Sequence, residues 1–323
     1  MDRSQFEELV APHRKELHAH CYRMLGSVHD ADDALQDALL GAWRGRDTFA
    51  GKSSLRAWLF RIATNACLHL IAQRPRRLLS ADYQPAAPGT DIEALVTEPI
   101  WLEPYPENLA EDPAEDPEAR VEQREQIELA FVAALQHLPG TQRAVLLVRD
   151  VLGFSAEETA GLLEVTVPTV NSALQRARAS IAERVPARSQ QATLRDLGEP
   201  AQRALVASFV SAWERADVDV LLALLASDAR FMMPPIPTWF DGIDAIRRFV
   251  AERMFQTPWH LVPMRASGQL AFACYQGPAI RLGALAVVTV RGRAIAQICG
   301  FLDPAVHARF SIPTDEFRPP ADS

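Results

Sequence analysis

The chain has 323 residues, 48% hydrophobic and 23% charged, with a formal net charge of -8; that length suits two or three compact domains, and the acidic balance excludes a simple nucleic-acid coat protein while leaving room for local basic faces. Cys21, Cys67, Cys274 and Cys299 lie far apart with no C-x-x-C pair, so neither a disulfide framework nor a structural zinc site is expected. No apolar run approaches the ~20 residues of a membrane span and the N-terminus MDRSQFEELV is polar, so a cytoplasmic protein with no membrane partner and no cofactor is expected.

Residues 1–80 carry 12 basic and 9 acidic residues and read as helices. Phe6, Leu9 and Val10 begin one apolar stripe, Ala34, Leu35, Ala38 and Leu39 a second, and Trp58, Leu59, Ile62, Ala63 and Ala66 a third. Residues 81–120 hold only Arg120 against 11 acids, together with seven prolines. Proline removes backbone donors and like charges repel, so this stretch reads as an acidic linker that does not pack as a domain. Residues 121–188 are again helical, with breaks at Leu138-Pro139-Gly140, at Gly153 and from Glu164 to Pro168. From about residue 200 the pattern changes. Helices fit 200–226 and 241–255, and short apolar segments follow: Ala229 to Met233, Leu270 to Tyr275, Ala284 to Val290 and Ala294 to Phe301, the last two joined by a turn at Arg291-Gly292. The fold class is therefore multidomain, with two all-α domains followed by an α+β domain at 200–323.

The most specific local signal lies in the second helical block. Ser155-Ala156-Glu157-Glu158 is a capping box, and Thr166 caps a second helix with Pro168 in its first turn. Val170, Ala173, Leu174 and Ala177 then face inward. Thr169, Asn171, Ser172, Gln175, Arg176 and Arg178 are left outside. Two short helices, a tight turn and a polar, Arg-bearing second helix describe a helix-turn-helix, since Asn, Gln and Arg suit base edges and Arg suits phosphates. A plain helical hairpin with a solvated face is the alternative. In the first block Asp30, Asp33 and Asp37, with Gln36, recur at helical spacing, which puts their carboxylates on one face suited to a basic partner. A solvated acidic face is the alternative here.

Leu138-Pro139, Gln142-Arg143, Gly153-Phe154-Ser155, Glu158-Thr159-Ala160 and Thr169 to Arg178 resemble the promoter-binding C-terminal domain of sigma factors. Asp30 to Asp37 resembles the helix by which such factors dock on the RNA polymerase clamp. Phe49, Gly51, Ser53, Trp58-Leu59 and Ile62-Ala63-Thr64-Asn65 resemble the promoter-melting segment. The order of the two motif sets is that of the extracytoplasmic-function group of the sigma-70 family. Glu164 stands where many relatives carry Gly, which touches the turn and not the fold. The resemblance implies that Asp30, Asp33, Gln36 and Asp37 bind core polymerase. It implies that Lys52, Arg56, Trp58, Arg61, Asn65, Arg74, Arg76 and Arg77 engage the minus-ten element and the opened strand, Trp58 being either core or a stacking wedge. It further implies that Thr169, Asn171, Ser172, Gln175, Arg176 and Arg178 read the minus-thirty-five element. Partners are then core polymerase, at its clamp and flap regions, and promoter DNA.

The third block resembles the SnoaL-like polyketide-cyclase family, with a cone-shaped fold shared with nuclear transport factor two. The likeness rests on element order and on Phe209, Trp213, Leu221 to Leu225 and Asp228 to Met233. Such a cone encloses an apolar cavity for a small apolar ligand, here lined by Trp213, Met233, Trp239, Phe240, Trp259, Phe272 and Tyr275, or else these aromatics only fill the core. Asp228, Arg230, Asp241, His260 and Arg265 are the polar candidates, and no spacing among them demands acid–base catalysis, so no catalytic residue and no metal ligand is assigned. The expectation is a non-enzymatic sigma factor regulated in cis by its third domain. Two rivals stay open: a ligand-sensing helix-turn-helix repressor, and a bifunctional protein whose cone is a cyclase- or hydrolase-like enzyme. A close, buried acid–base pair inside the cavity would favour the second.

Overall fold

The computed structural model describes residues 2–48, 54–98, 100–110, 127–277, 281–310 and 312. The chain forms two compact units, Met1–Arg77 with Asn108–Ala187, and Leu78–Glu107 with Arg188–Ser323.

The first unit is helical. Helix α1 (Arg3–Val10) opens on a capping box in which Asp2 and Gln5 bond each other's backbone N–H. Helix α2 (Arg14–Leu25) stops at Gly26, whose φ of 71° closes the last turn in the left-handed region. Ser27 caps α3 (Val28–Gly45) and Ser54 caps α4 (Leu55–Gln73) through their hydroxyls. Ala31, Ala34, Ala38 and Ala42 form the buried stripe of α3, and these small side chains let it pack closely on α2 and α4, whose own buried residues include Leu17, Cys21 and Met24, and Leu59, Ala63 and Cys67. The later helices are Leu129–Gln136, Gly140–Leu146 running into a π-turn at Leu147–Val151, Ala156–Leu163 and Val167–Ala182.

These two helical blocks pack on each other. The Arg56 guanidinium donates to Leu152 O (3.2 Å), and its carbon lies 5.1 Å from the Phe60 ring and 4.8 Å from that of Phe154. Phe60 and Phe154 meet edge-on at 6.0 Å. Gln136 donates to Arg23 O (3.3 Å) and Arg143 donates to Met24 O.

In the second unit a six-stranded sheet runs in the order β2-β1-β6-β5-β4-β3, from β1 (Leu225–Met233), β2 (Ile236–Asp241), β3 (Trp259–Ala266), β4 (Gln269–Gln276), β5 (Arg281–Arg291) and β6 (Ala294–Phe301). Only the β1–β6 pairing is parallel. One face is packed by Leu205, Phe209 and Trp213 of the helix Glu199–Glu214 and by Ile246, Phe249 and Val250 of the helix Ile243–Glu252. The α+β expectation is met.

The acidic, proline-rich stretch departs from the expected unpacked linker. Its part from 78 to 107 lies along the sheet, while residues 111–120 lie outside the described ones. Ala87 N donates to Trp239 O (2.9 Å), Val96 N to Pro235 O (3.0 Å), Ser80 Oγ to Ile236 O (3.1 Å) and Glu93 N to Thr238 Oγ1 (2.9 Å), while Trp239 Nε1 donates to Gln84 O (2.8 Å). Ile100, Trp101, Leu102 and Tyr105 are buried. The segment needs no core of its own because it covers β2, the edge strand, whose unpaired backbone groups would otherwise face water.

Candidate nucleic-acid interface and the cavity of the cone

The outer face of α3 presents Asp33, Gln36 and Asp37 to solvent together with the exposed Leu40. Asp30 does not share it, contrary to the expectation from spacing. At the first turn of α3 it is buried and accepts from Arg74 and from Arg77 Nε (3.1 Å). Buried Arg77 needs a carboxylate, and Asp30 supplies it, so the pair joins α3 to the end of α4.

The expected melting residues divide in the same way. Lys52, with Phe49, Gly51 and Ser53, lies outside the described residues. Trp58 is buried, at 7% exposure. Arg56 is held by Glu16 (Nε to both carboxylate oxygens, 3.2 Å) and by the second helical block. Arg74 and Arg77 are held by Asp30, and Arg74 also lies 3.6 Å from Asp33. Arg76 is exposed and lies 3.3 Å from His137 Nδ1. Arg61 is half-buried and Asn65 exposed, one turn apart on α4.

The helix-turn-helix is built as expected. The Ser155 hydroxyl accepts from Glu158 N (3.1 Å), and Ser155 N donates to Glu158 Oε2 (2.8 Å). Glu164 ends that helix at φ 55°, ψ 42°, the left-handed conformation that glycine takes most readily. Thr166 caps Val167–Ala182 by accepting from Thr169 N (3.3 Å). Val170, Ala173, Leu174 and Ala177 are buried, and Thr169, Asn171, Ser172, Gln175, Arg176 and Arg178 are all exposed on one side. Arg178 makes a two-pronged pair with Asp150 of the π-turn (2.8 and 2.7 Å), which sequence reasoning had not linked to it. This carboxylate raises the Arg178 pKa above its ordinary value.

The cone holds a cavity of about 210 Å³. Trp213, Met233 and Trp259 line it as expected, joined by Phe231, Ile298 and Leu302. Trp239, Phe240, Phe272 and Tyr275 do not. Phe240 stacks on Phe249 at 4.0 Å, and Phe272 packs against Phe209 at 4.6 Å, so both fill the core. Trp239 and Tyr275 alternate with inward-facing Phe240 and Cys274 and fall on the opposite face of the sheet. The Cys274 thiol at the cavity is pushed up to about 12 by burial, so it stays protonated. The polar candidates lie elsewhere. Asp228 pairs with Arg291, Arg230 lies 3.7 Å from Asp241, and Arg265 donates to Gln202 (3.3 Å). His260 Nδ1 meets Glu214 Oε1 at 2.7 Å, but both side chains are about one-third exposed and neither lines the cavity. The arrangement that would favour an enzyme is therefore not formed by these residues. Among the described residues no group of His, Cys, Asp and Glu is placed to hold a metal ion, and no helix is long and apolar enough to cross a membrane.

Residues 9–77 match Sigma-70 region 2, residues 128–181 match Sigma-70 region 4, and residues 206–299 match the SnoaL-like domain. The chain is 39% identical over 320 residues to the ECF RNA polymerase sigma factor SigG of Mycobacterium tuberculosis (strain CDC 1551 / Oshkosh), covering 96% of this chain and 85% of the relative. It is 35% identical over 181 residues to SigM of the same species (strain ATCC 35801 / TMC 107 / Erdman), covering 56% of this chain and 77% of that protein. The crystal structure of the Mycobacterium tuberculosis extracytoplasmic function sigma factor SigJ superposes with a TM-score of 0.58 at 20% identity, covering 97% of this chain and all of that one, so the whole three-part fold recurs there. With both sigma regions, the cone and a relative matched almost end to end, the chain belongs to the extracytoplasmic-function sigma factors of RNA polymerase, which bind the core enzyme and direct it to promoters.

Proposed function

We propose that this sigma factor docks on the polymerase clamp through Asp33, Gln36 and Asp37, engages the minus-ten element with Arg61, Asn65 and Arg76, and reads the minus-thirty-five element with the outer face of Val167–Ala182. It acts in the cytoplasm, catalyses nothing alone, and is controlled in cis by its SnoaL-like domain. The observation that carries the control is the packing of region 2 on region 4. The two promoter elements lie about 25 base pairs apart, or ~85 Å of duplex at ~3.4 Å per pair. Regions whose side chains interlock at Phe60 and Phe154 cannot engage both at once, so the unit must open before the promoter is bound.

The chain between the regions supports control by the cone, because residues 78–107 belong to the cone's unit. While they stay there, the chain between the cone's unit and region 4 is only about 20 residues, 108–127. At ~3.3 Å per residue these span ~66 Å at full extension. The test is transcription in vitro with core polymerase, comparing full-length protein with a chain ending at Pro200. A changed output at matched concentration is expected; equal output with equal polymerase affinity would refute control in cis. Asp33→Arg with Asp37→Arg is expected to abolish capture by core enzyme without lowering thermal stability, and retained capture would refute the docking face.

A further inference from the structure

Three features of the cone's unit meet at one place. The cavity is lined by aromatic and aliphatic side chains, with Gln276 at its margin. Its wall is completed by Ile92, which is not part of the SnoaL-like domain but of the segment joining regions 2 and 4, and which is 43% exposed. The segment around Ile92 is a closed loop: Leu78 N donates to Ile100 O (2.7 Å) and Leu102 N to Leu78 O (2.9 Å), so the chain enters and leaves at the same point. Its span, residues 79–100, stores about 22 residues, or ~73 Å of chain at ~3.3 Å each.

We propose that the cavity is a receptor for a compact apolar molecule larger than one aromatic ring, and that its entry displaces Ile92 and releases the 79–100 loop into the connector between regions 2 and 4. A dry apolar cavity of ~150 Å³ holds benzene; scaling by ten carbons to six gives ~250 Å³ for a fused pair of rings. The cavity holds 210 Å³ with Ile92 seated, so one ring fits under it and two do not. Ile92 is the wall element that yields: most of the lining belongs to paired strands or to the buried helix Glu199–Glu214, and the other two non-strand residues, Met254 and Leu302, pack against the core, while Ile92 is 43% exposed. The two ends of the loop are anchored, by Ser80 Oγ to Ile236 O (3.1 Å), by Trp239 Nε1 to Gln84 O (2.8 Å) and by buried Leu79 and Ile100, whereas the stretch around Ile92 is held only by the single bonds of Ala87 to Trp239 O, Glu93 to Thr238 Oγ1 and Val96 to Pro235 O and by two exposed contacts, Thr90 to Glu252 (2.8 Å) and Asp91 to Arg253 (3.0 Å), so it is this central stretch that is released first. Exposed pairs of this kind add little. Ligand and loop then exclude each other, and each weakens the other's binding by the same factor.

This inference rests on the reading of the chain as a sigma factor controlled in cis, but its test uses full-length protein without polymerase or DNA, so the two fail separately. The probes are naphthalene and benzene. Saturating naphthalene is expected to speed amide exchange at Ala87, Glu93 and Val96 at least tenfold, and benzene is expected to leave it unchanged. Ile92→Ala, a change at a half-exposed site, is expected to tighten naphthalene binding about fivefold, since the ligand no longer has to expel a partly buried side chain. The proposal is overturned by absence of saturable naphthalene binding, by binding without faster exchange, by faster exchange with benzene as well, or by an Ile92→Ala affinity equal to wild type.

Discussion

Arg56→Ala is expected to open the sigma unit. In the closed form Arg56 bonds Glu16 and lies over Phe60, both in region 2, and these contacts persist when the regions part. Its contacts to Leu152 O and to the Phe154 ring cross the seam and are lost on opening. A hydrogen bond from a charged donor contributes about 1.5 kcal/mol and a partly exposed cation–π contact about 0.5–1 kcal/mol. Their loss costs the closed form about 2 kcal/mol, which multiplies the open-to-closed ratio ~30-fold. The assay is energy transfer between dyes on Gln73→Cys and Glu183→Cys, both exposed, one in each region. All four native cysteines are buried, so labelling is selective. A lower transfer efficiency is expected for Arg56→Ala, together with tighter core-polymerase binding. Unchanged transfer in the variant would refute the seam as the element that holds the regions together.

Asp30→Asn is expected to destabilise the first unit by about 3 kcal/mol, because buried Arg77 loses its carboxylate, and an unaltered melting temperature would refute the structural role given to Asp30. Asp150→Ala removes the internal partner of Arg178 and is expected to steepen the slope of log K against log salt for DNA binding, whereas Arg178→Ala is expected to flatten it by ~0.9; equal slopes in a salt titration would refute a phosphate contact. His20 is fully buried against Thr64 (2.9 Å), and burial, followed by Arg23 and Arg56, lowers its pKa to about 3. The unfolded chain therefore takes up a proton that the folded one refuses between pH ~6.5 and ~3, so stability falls with pH in that window by up to ~1.4 kcal/mol per unit; denaturant midpoints at pH 7.5 and 5.0 test this against His20→Gln. Glu164→Gly is expected to be neutral or stabilising by up to ~1 kcal/mol, since φ 55° costs Glu more than Gly, and a loss of stability would show that the Glu164 side chain matters to the turn.

The helix-turn-helix was legible because its signals are local. Ser155 and Thr166 cap, Pro168 sits in a first turn, and the apolar stripe keeps helical spacing, so each residue announces its own surroundings. Strands β2 and β3 were not legible. Pro237 and Pro263 interrupt them, and β2 gains its partners from β1 on one side and from the 78–107 segment on the other, a pairing set by residues far away in sequence. The cavity was legible only where burial follows from strand alternation. Trp213, Met233 and Trp259 face in, while Trp239 and Tyr275 are equally aromatic and equally buried but on the other side of the pleat. Composition misled at 81–107 because acids and prolines report that a segment lacks its own core, not that it lacks another domain's edge to cover.

Charge counting also overstated the basic surface. Three of the arginines expected to hold opened DNA are already matched: Arg56 by Glu16, Arg74 and Arg77 by Asp30. For Arg77 the match is permanent, since a buried guanidinium cannot trade the Asp30 carboxylate for a phosphate it cannot reach. For Arg56 it is conditional. Its pair with Glu16 is about one-third exposed, and the seam contacts vanish when region 4 leaves. Opening therefore frees Arg56 only from Leu152 O and the Phe154 ring, while Glu16 continues to hold it. Arg56 stands roughly half a turn around α4 from Arg61 and Asn65, so its release adds no charge to their face, and the basic surface left for an opened strand is the smaller one of Arg61, Asn65 and Arg76.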